Sequence, residues 1–180
     1  MARLLLSVIL FVLIPMQQYF LSTVVFILAA GTDWLDGYIA RKYDLVTKLG
    51  RILDPFVDKF LICGVFIYLA AIPNSGIAAW MAVVVVAREL AVTVIRSFLE
   101  GEGVDFSAKM AGKLKMVFQC VAVVASLITL AALLRDGATP TWLQWLLMGS
   151  AWLAVASTLY SGAGYVLEAI RLLRPKEVSA

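Results

Sequence analysis

Histidine is absent from the 180 residues. That excludes imidazole metal ligands and histidine general bases, so any acid–base work falls to carboxylates. Cysteine is scarce: Cys63 and Cys120 both lie in apolar stretches, which reads as two small buried thiols and gives no disulfide framework. No internal repeat of 20–50 residues and no low-complexity tract interrupts the chain, and no stretch is left over for a separate soluble module. What is abundant is apolar surface. Hydrophobic residues make up 63% of the sequence and mean hydropathy is +0.96, against roughly 45–50% apolar in a soluble domain. Lipid is therefore expected to replace water as the main solvent.

The apolar residues run continuously instead of alternating, which argues for helices and against a membrane β-barrel. A spanning helix takes about 20 residues, and six such spans fit: 3–14, 20–41, 48–69, 77–99, 116–134 and 142–167. The expected architecture is an all-α integral membrane bundle of six transmembrane helices, a single domain over 1–180. The start resembles a secretory signal only superficially. Arg3 precedes an apolar run from Leu4 to Ile14, no A-x-A-like cleavage site follows, and a second apolar run begins at Phe20; the first run is expected to stay as a span. Pro15, then Pro73, Asn74 and Gly76, then Gly137 and Pro140, mark turns.

Lysine and arginine set the expected orientation. The connections 15–19, 71–75 and 135–141 hold one basic residue, Arg135. The opposite ends hold Arg41, Lys42, Lys48, Arg51, Arg96, Lys109, Lys113, Lys115, Arg171, Arg174 and Lys176, which places that side and both termini in the cytoplasm. Trp80, Trp142, Trp145 and Trp152 are either interface anchors or packing residues. The tail beyond Arg171 is polar and is expected to fray.

Against this background four aspartates stand out. Asp33 and Asp36 lie in the second span, Asp54 and Asp58 in the third, within the pattern D-x-x-D-G-x-x-A-R-(x8)-G-x-x-x-D-x-x-x-D. A carboxylate in a membrane segment costs a few kcal/mol or more, so such groups read as functional. At about 100° per residue, Asp33, Asp36, Gly37, Ala40 and Arg41 fall within an arc of roughly 140°, and Gly50, Asp54 and Asp58 form a stripe at i, i+4, i+8. Packed as a hairpin, the two spans would bring four carboxylates around one small volume, which only cations could neutralise. Oxygen-only ligation suits Mg²⁺, Mn²⁺ or Ca²⁺, and four aspartates suffice for a two-metal site of the kind that clamps a phosphoryl group. The small residues Gly37, Ala40 and Gly50 leave room for a ligand, and Arg41 offers a planar fork for phosphate.

This skeleton resembles the signature of the CDP-alcohol phosphotransferases at every defining position, with Thr47, three residues before Gly50, also in the usual pattern. The resemblance extends over most of the chain. It implies six transmembrane helices, a homodimer and a site open to the cytoplasm of the cell membrane. It also implies transfer of a phosphatidyl or similar group from a CDP-linked donor to an alcohol, with release of CMP. Asp33, Asp36, Asp54 and Asp58 would hold two Mg²⁺ or Mn²⁺ ions, and Asp58 would also take the acceptor's proton. Gly37, Ala40, Arg41, Gly50 and Thr47 would border the CDP moiety. Members usually begin with a short amphipathic segment, of which only Arg3 is matched here.

The fourth span carries Arg88-Glu89, Arg96 follows eight residues after Arg88, and Ala111-Gly112-Lys113-Leu114-Lys115 leads into the fifth span. Lys113 and Lys115 read either as cytoplasmic anchors or as phosphate ligands, and Arg88 either as the partner of Glu89 or as a ligand. R-E-(x6)-R, G-K-x-K and Ser161-Gly162-x-x-Tyr165 resemble the branch of the family that uses sn-glycerol 3-phosphate. On that resemblance Arg88, Arg96, Lys113 and Lys115 would contact the acceptor's phosphate. The expected partners are CDP-diacylglycerol, sn-glycerol 3-phosphate, membrane lipids and a second copy of the chain, with no nucleic acid. The expected products are phosphatidylglycerophosphate and CMP. Another acceptor (inositol phosphate, serine or a phospholipid), or a non-enzymatic cation transporter, are the competing readings.

Overall fold

The computed structural model describes the backbone of residues 2–43, 48–101 and 110–173, and the side chains of 3–31, 59–99, 114–167 and 169–171. Six helices run in order: α1 Ala2–Leu13, α2 Tyr19–Tyr43, α3 Lys48–Ala70, α4 Ala79–Gly101, α5 Met110–Asp136 and α6 Thr141–Leu173. No strand occurs among the described residues. Each expected span coincides with one helix. The differences lie at the ends carrying basic residues, where α5 begins at Met110 instead of 116 and α6 continues to Leu173 instead of 167. Hydropathy marks where lipid begins, whereas the i→i−4 ladder carries a helix on through charged residues.

The turns fall where proline, asparagine and glycine predicted them. Pro15 sits in the α1–α2 turn, which closes through Gln17 at φ 59°. The α3–α4 turn uses Asn74 at φ 63° and Gly76 at φ 72°, and α5 ends at Gly137 with φ 68°. The α3–α4 turn is also tied to the bundle, because the Ser126 hydroxyl of α5 donates to the Ser75 carbonyl at 2.6 Å.

Among the described residues α5 packs against α2, α3 and α6, while α4 packs against α3 and α6. The main core includes Leu10, Phe26, Leu61, Phe66, Val85 and Val123. α1 locks onto α3 through Phe11. Its ring lies edge-on to Phe60 at 5.2 Å and stacks on Tyr68 at 5.4 Å, over Gly64, where a Cβ would collide with it. Buried hydroxyls return to their own helix: Ser7 donates to the Arg3 carbonyl at 2.8 Å, Thr23 to Tyr19 at 2.9 Å and Thr129 to Ala125 at 2.7 Å. That pattern satisfies polar groups where water is excluded.

The outside is apolar as well. Leu5, Phe20, Ile67, Val83, Tyr160 and Leu167 are exposed, and so are Trp80, Trp142, Trp145 and Trp152, with the Trp80 and Trp152 rings also packed on each other at 5.6 Å. A soluble monomer rarely exposes so much contiguous apolar surface. Two described stretches, Leu114–Asp136 and Thr141–Arg171, are long and apolar enough to cross a membrane, and Arg3–Leu13, Tyr19–Gly31 and Lys59–Ala70 are shorter apolar helices.

Gly76 and Gly137 separate two costs of a methyl group. At Gly137 nothing lies within 4 Å, whereas at Gly76 an added Cβ would meet Leu147 at 2.6 Å. Gly137→Ala should lose about 1–2 kcal/mol from the left-handed backbone alone. Gly76→Ala should lose that plus about 1–3 kcal/mol from overpacking. Thermal unfolding in detergent should therefore rank wild type above Gly137→Ala above Gly76→Ala; equal midpoints for the two variants would contradict the Gly76–Leu147 packing.

Candidate functional site

The helical backbone carries the aspartate pattern as the sequence spacing requires. Asp33, Asp36, Gly37, Ala40 and Arg41 lie on α2, and Gly50, Asp54 and Asp58 on α3. Three- and four-residue separations on a helix share a face, so each helix presents its pair of carboxylate positions together. The side chains of these residues lie outside the described ones, as do Thr47 altogether and the side chain of Lys113 on α5. Among the described residues no group of three or more His, Cys, Asp or Glu side chains could hold a metal ion.

The described part of the site is a buried charge cluster between α4, α5 and α6. Glu89 lies near the middle of α4, about 15 Å of helix rise from its start, and is only 6% exposed. Its carboxylate accepts from Arg88 Nη1 at 3.3 Å and, at close range, from Lys115 Nζ of α5. Lys115 is likewise 6% exposed. Arg88 Nη2 donates to the Ser161 hydroxyl of α6. The Arg88 stem passes close to Gly162, where an added Cβ would come within 3.1 Å of Arg88 Cγ. That small residue lets the guanidinium approach α6.

Tyr165, one turn beyond Ser161, binds the two arginines of α4 to one ring. The Arg88 guanidinium carbon lies 5.4 Å from the ring centroid and that of Arg96 6.0 Å, both within the range of a cation–π contact. Arg96 Nη2 also donates to the Tyr165 hydroxyl at 3.5 Å. The eight-residue spacing of Arg88 and Arg96 left them about 80° apart around the helix; Tyr165 is what unites them.

Among the described residues the cluster holds three cations, Arg88, Arg96 and Lys115, and one carboxylate, Glu89, which Arg88 and Lys115 contact. The Nε atoms of both Arg88 and Arg96 are buried without a hydrogen-bond partner. A buried charge is ordinarily paired and hydrogen-bonded, so these two unspent donors are suited to an anion. The cluster also lies near the helix that carries Asp54 and Asp58. Cys63 of α3 is within electrostatic reach of Glu89, Lys115 and Lys59, and Asp58 precedes Cys63 by about 7–8 Å of helix rise.

The structure thus brings together Arg88, Arg96 and Lys115, with Ser161 and Tyr165 as their neighbours. Sequence reasoning offered Arg88 either Glu89 or a phosphate as partner. It missed that Glu89 also holds Lys115. The signal was present: an acid deep in the apolar run 83–95 must find cations. A separate cavity of about 520 Å³ near the opposite end, lined by Asn74, Thr129, Thr139, Gln144, Leu147 and Trp152 among others, contains no charged residue. It is not suited to the same task.

Comparison with known proteins shows the family. Residues 1–160 match the family described as CDP-alcohol phosphatidyltransferase. The chain is 44% identical over 107 residues to a CDP-diacylglycerol–glycerol-3-phosphate 3-phosphatidyltransferase of Bacillus subtilis, a match covering 59% of this chain and 54% of that protein. It is 35% identical over 147 residues to the protein of the same name from Rickettsia bellii, covering 81% of this chain and 76% of the relative. A third protein of that name, from Haemophilus influenzae, is 30% identical over 106 residues, 58% of this chain and 57% of the relative. The matches to the Bacillus and Haemophilus proteins span little more than half of their lengths. The family match, by contrast, runs from α1 into α6 and contains the whole aspartate pattern, and the chain belongs to the CDP-alcohol phosphatidyltransferase family.

Proposed function

We propose that the chain transfers the phosphatidyl group of CDP-diacylglycerol to sn-glycerol 3-phosphate, giving phosphatidylglycerophosphate and CMP. The observation that carries the choice of acceptor is the cluster of Arg88, Arg96 and Lys115, with Glu89 the one carboxylate beside them among the described residues and two guanidinium Nε donors unpaired. A phosphorylated alcohol supplies the missing anion; serine does not carry a phosphate. The three relatives named above point to the same donor and acceptor.

In this reading all six helices cross the cell membrane and the site opens to the cytoplasm, where the basic residues concentrate. Asp33, Asp36, Asp54 and Asp58 hold two divalent cations. The all-carboxylate donor set, in a chain without histidine, fits Mg²⁺ or Mn²⁺, and α2 and α3 each carry two of the four on one face. When bound, such ions neutralise charge on the pyrophosphate and the departing CMP. Asp58 accepts the proton of the acceptor hydroxyl as its oxygen attacks the phosphatidyl phosphorus. Gly37, Ala40, Gly50 and Thr47 leave space for the CDP moiety, and Arg41 pairs with its phosphate. Arg88 and Arg96, with Lys113 and Lys115, hold the acceptor phosphate. A second copy of the chain completes a homodimer.

Purified protein supplied with Mg²⁺ or Mn²⁺ and CDP-diacylglycerol should release CMP only when acceptor is added, and glycerol 3-phosphate should outcompete serine and inositol phosphate. Faster turnover of serine would contradict the acceptor assignment. Asp58→Asn should abolish CMP release with the unfolding midpoint retained; normal turnover would remove Asp58 as base. Arg96→Ala should raise the KM for glycerol 3-phosphate about ten- to a hundredfold, the equivalent of one charge-assisted hydrogen bond of roughly 1.5–3 kcal/mol. An unchanged KM would place the phosphate elsewhere.

A further inference from the structure

Glu89 is a difficult residue to explain if the cluster exists only to attract an anion. A carboxylate among the phosphate-binding cations weakens their field, and burying it costs several kcal/mol unless it is fully paired. Yet it sits at the centre of the cluster. It touches cations from two helices, Arg88 on its own α4 and Lys115 on α5. Its backbone is engaged as well, since the Thr93 hydroxyl donates to the Glu89 carbonyl at 2.5 Å. The outward-reaching groups of Arg88 are therefore used, Nη1 on Glu89 and Nη2 on Ser161, while its Nε remains without a partner.

We infer that Glu89 is a positioning residue for the acceptor's phosphate: it pins Arg88 and Lys115 in one geometry so that, with Arg96, they form a preformed anion site. The inference rests on the reading of this cluster as the phosphate site given above. Without the carboxylate, two adjacent cations in a low-dielectric bundle repel each other and swing apart. The binding free energy of the phosphate must then gather them, and affinity falls. With it, the cations still outnumber the carboxylate among the described residues, and the ligand meets donors already in place. Lys115 thereby contributes by closing the α4–α5 contact as much as by its charge.

The inference predicts a sign opposite to simple electrostatics. Removing a negative charge beside an anion site should tighten anion binding if Glu89 only competes with the ligand. It should weaken binding if Glu89 orders the cations. Glu89→Gln keeps the size of the side chain and removes the charge. Calorimetric titration of the full chain in detergent, with glycerol 3-phosphate and separately with inorganic phosphate, should show Kd for both rising on the order of tenfold. In CMP release the KM for glycerol 3-phosphate should rise in parallel, with the KM for CDP-diacylglycerol changing less than twofold. Glu89→Asp, which keeps the charge one methylene shorter, should give an intermediate loss and serves if the glutamine variant does not fold. Unchanged or tighter phosphate binding in either variant would overturn the inference, as would equal rises in both KM values, the signature of a merely structural role. The two readings fail separately. Wild type that binds phosphate in a Glu89-dependent way but releases no CMP would spare this inference and refute the proposed reaction. Wild type that turns over, with Glu89 variants of unchanged Kd, would do the reverse. Wild type that binds neither glycerol 3-phosphate nor inorganic phosphate would overturn the inference outright.

Discussion

A charge cluster buried between α4, α5 and α6 is the constraint around which this bundle is organised. Arg88 and Lys115 share the Glu89 carboxylate near the middle of α4, and the Tyr165 ring joins Arg96 to Arg88. Helices meet there because each contributes something the others need. α4 supplies Arg88, Glu89 and Arg96, α5 supplies Lys115, and α6 supplies Ser161 and the Tyr165 ring. Breaking a buried ion pair by removing one partner typically costs about 3–5 kcal/mol. These contacts therefore also fix how the three helices sit.

The rest of the fold is the frame that keeps water away from this charge. Phe11 against Phe60 and Tyr68 ties α1 to α3, and the Ser126–Ser75 hydrogen bond ties the α3–α4 turn to α5. The helices present apolar side chains outward as well as inward. Close packing and internal hydrogen bonds join them. The hydroxyls that fold back on their own carbonyls and the Gln119–Thr158 bond at 3.0 Å between α5 and α6 are examples.

Much of this was legible in the sequence. The six helices and their turns followed from apolar run length and from Pro15, Asn74, Gly76 and Gly137, because proline cannot continue a helix and positive φ selects asparagine and glycine. The ends of α5 and α6 were not, since hydropathy reports the solvent and not the hydrogen-bond ladder. The aspartate pattern was legible as spacing, and the family match bears out the resemblance it suggested. The basic residues were legible one by one. What one-dimensional reading could not supply was their convergence: Lys115 lies 26 residues beyond Glu89 and Ser161 lies 73 beyond Arg88. Only the packing of α4 on α6 and of α5 on α6 brings them to one place. Glu89 looked like a private partner for Arg88 because adjacency in sequence hid its second contact.

The account stands on the buried cations of α4 and α5 being the seat of a phosphate. An experimental structure of the chain in lipid with glycerol 3-phosphate bound tests this most directly. The account predicts the phosphate within hydrogen-bonding distance of Arg88 and Arg96, their Nε donors engaged and Glu89 still on Lys115. A phosphate bound away from these residues, with the cluster unchanged, would contradict it.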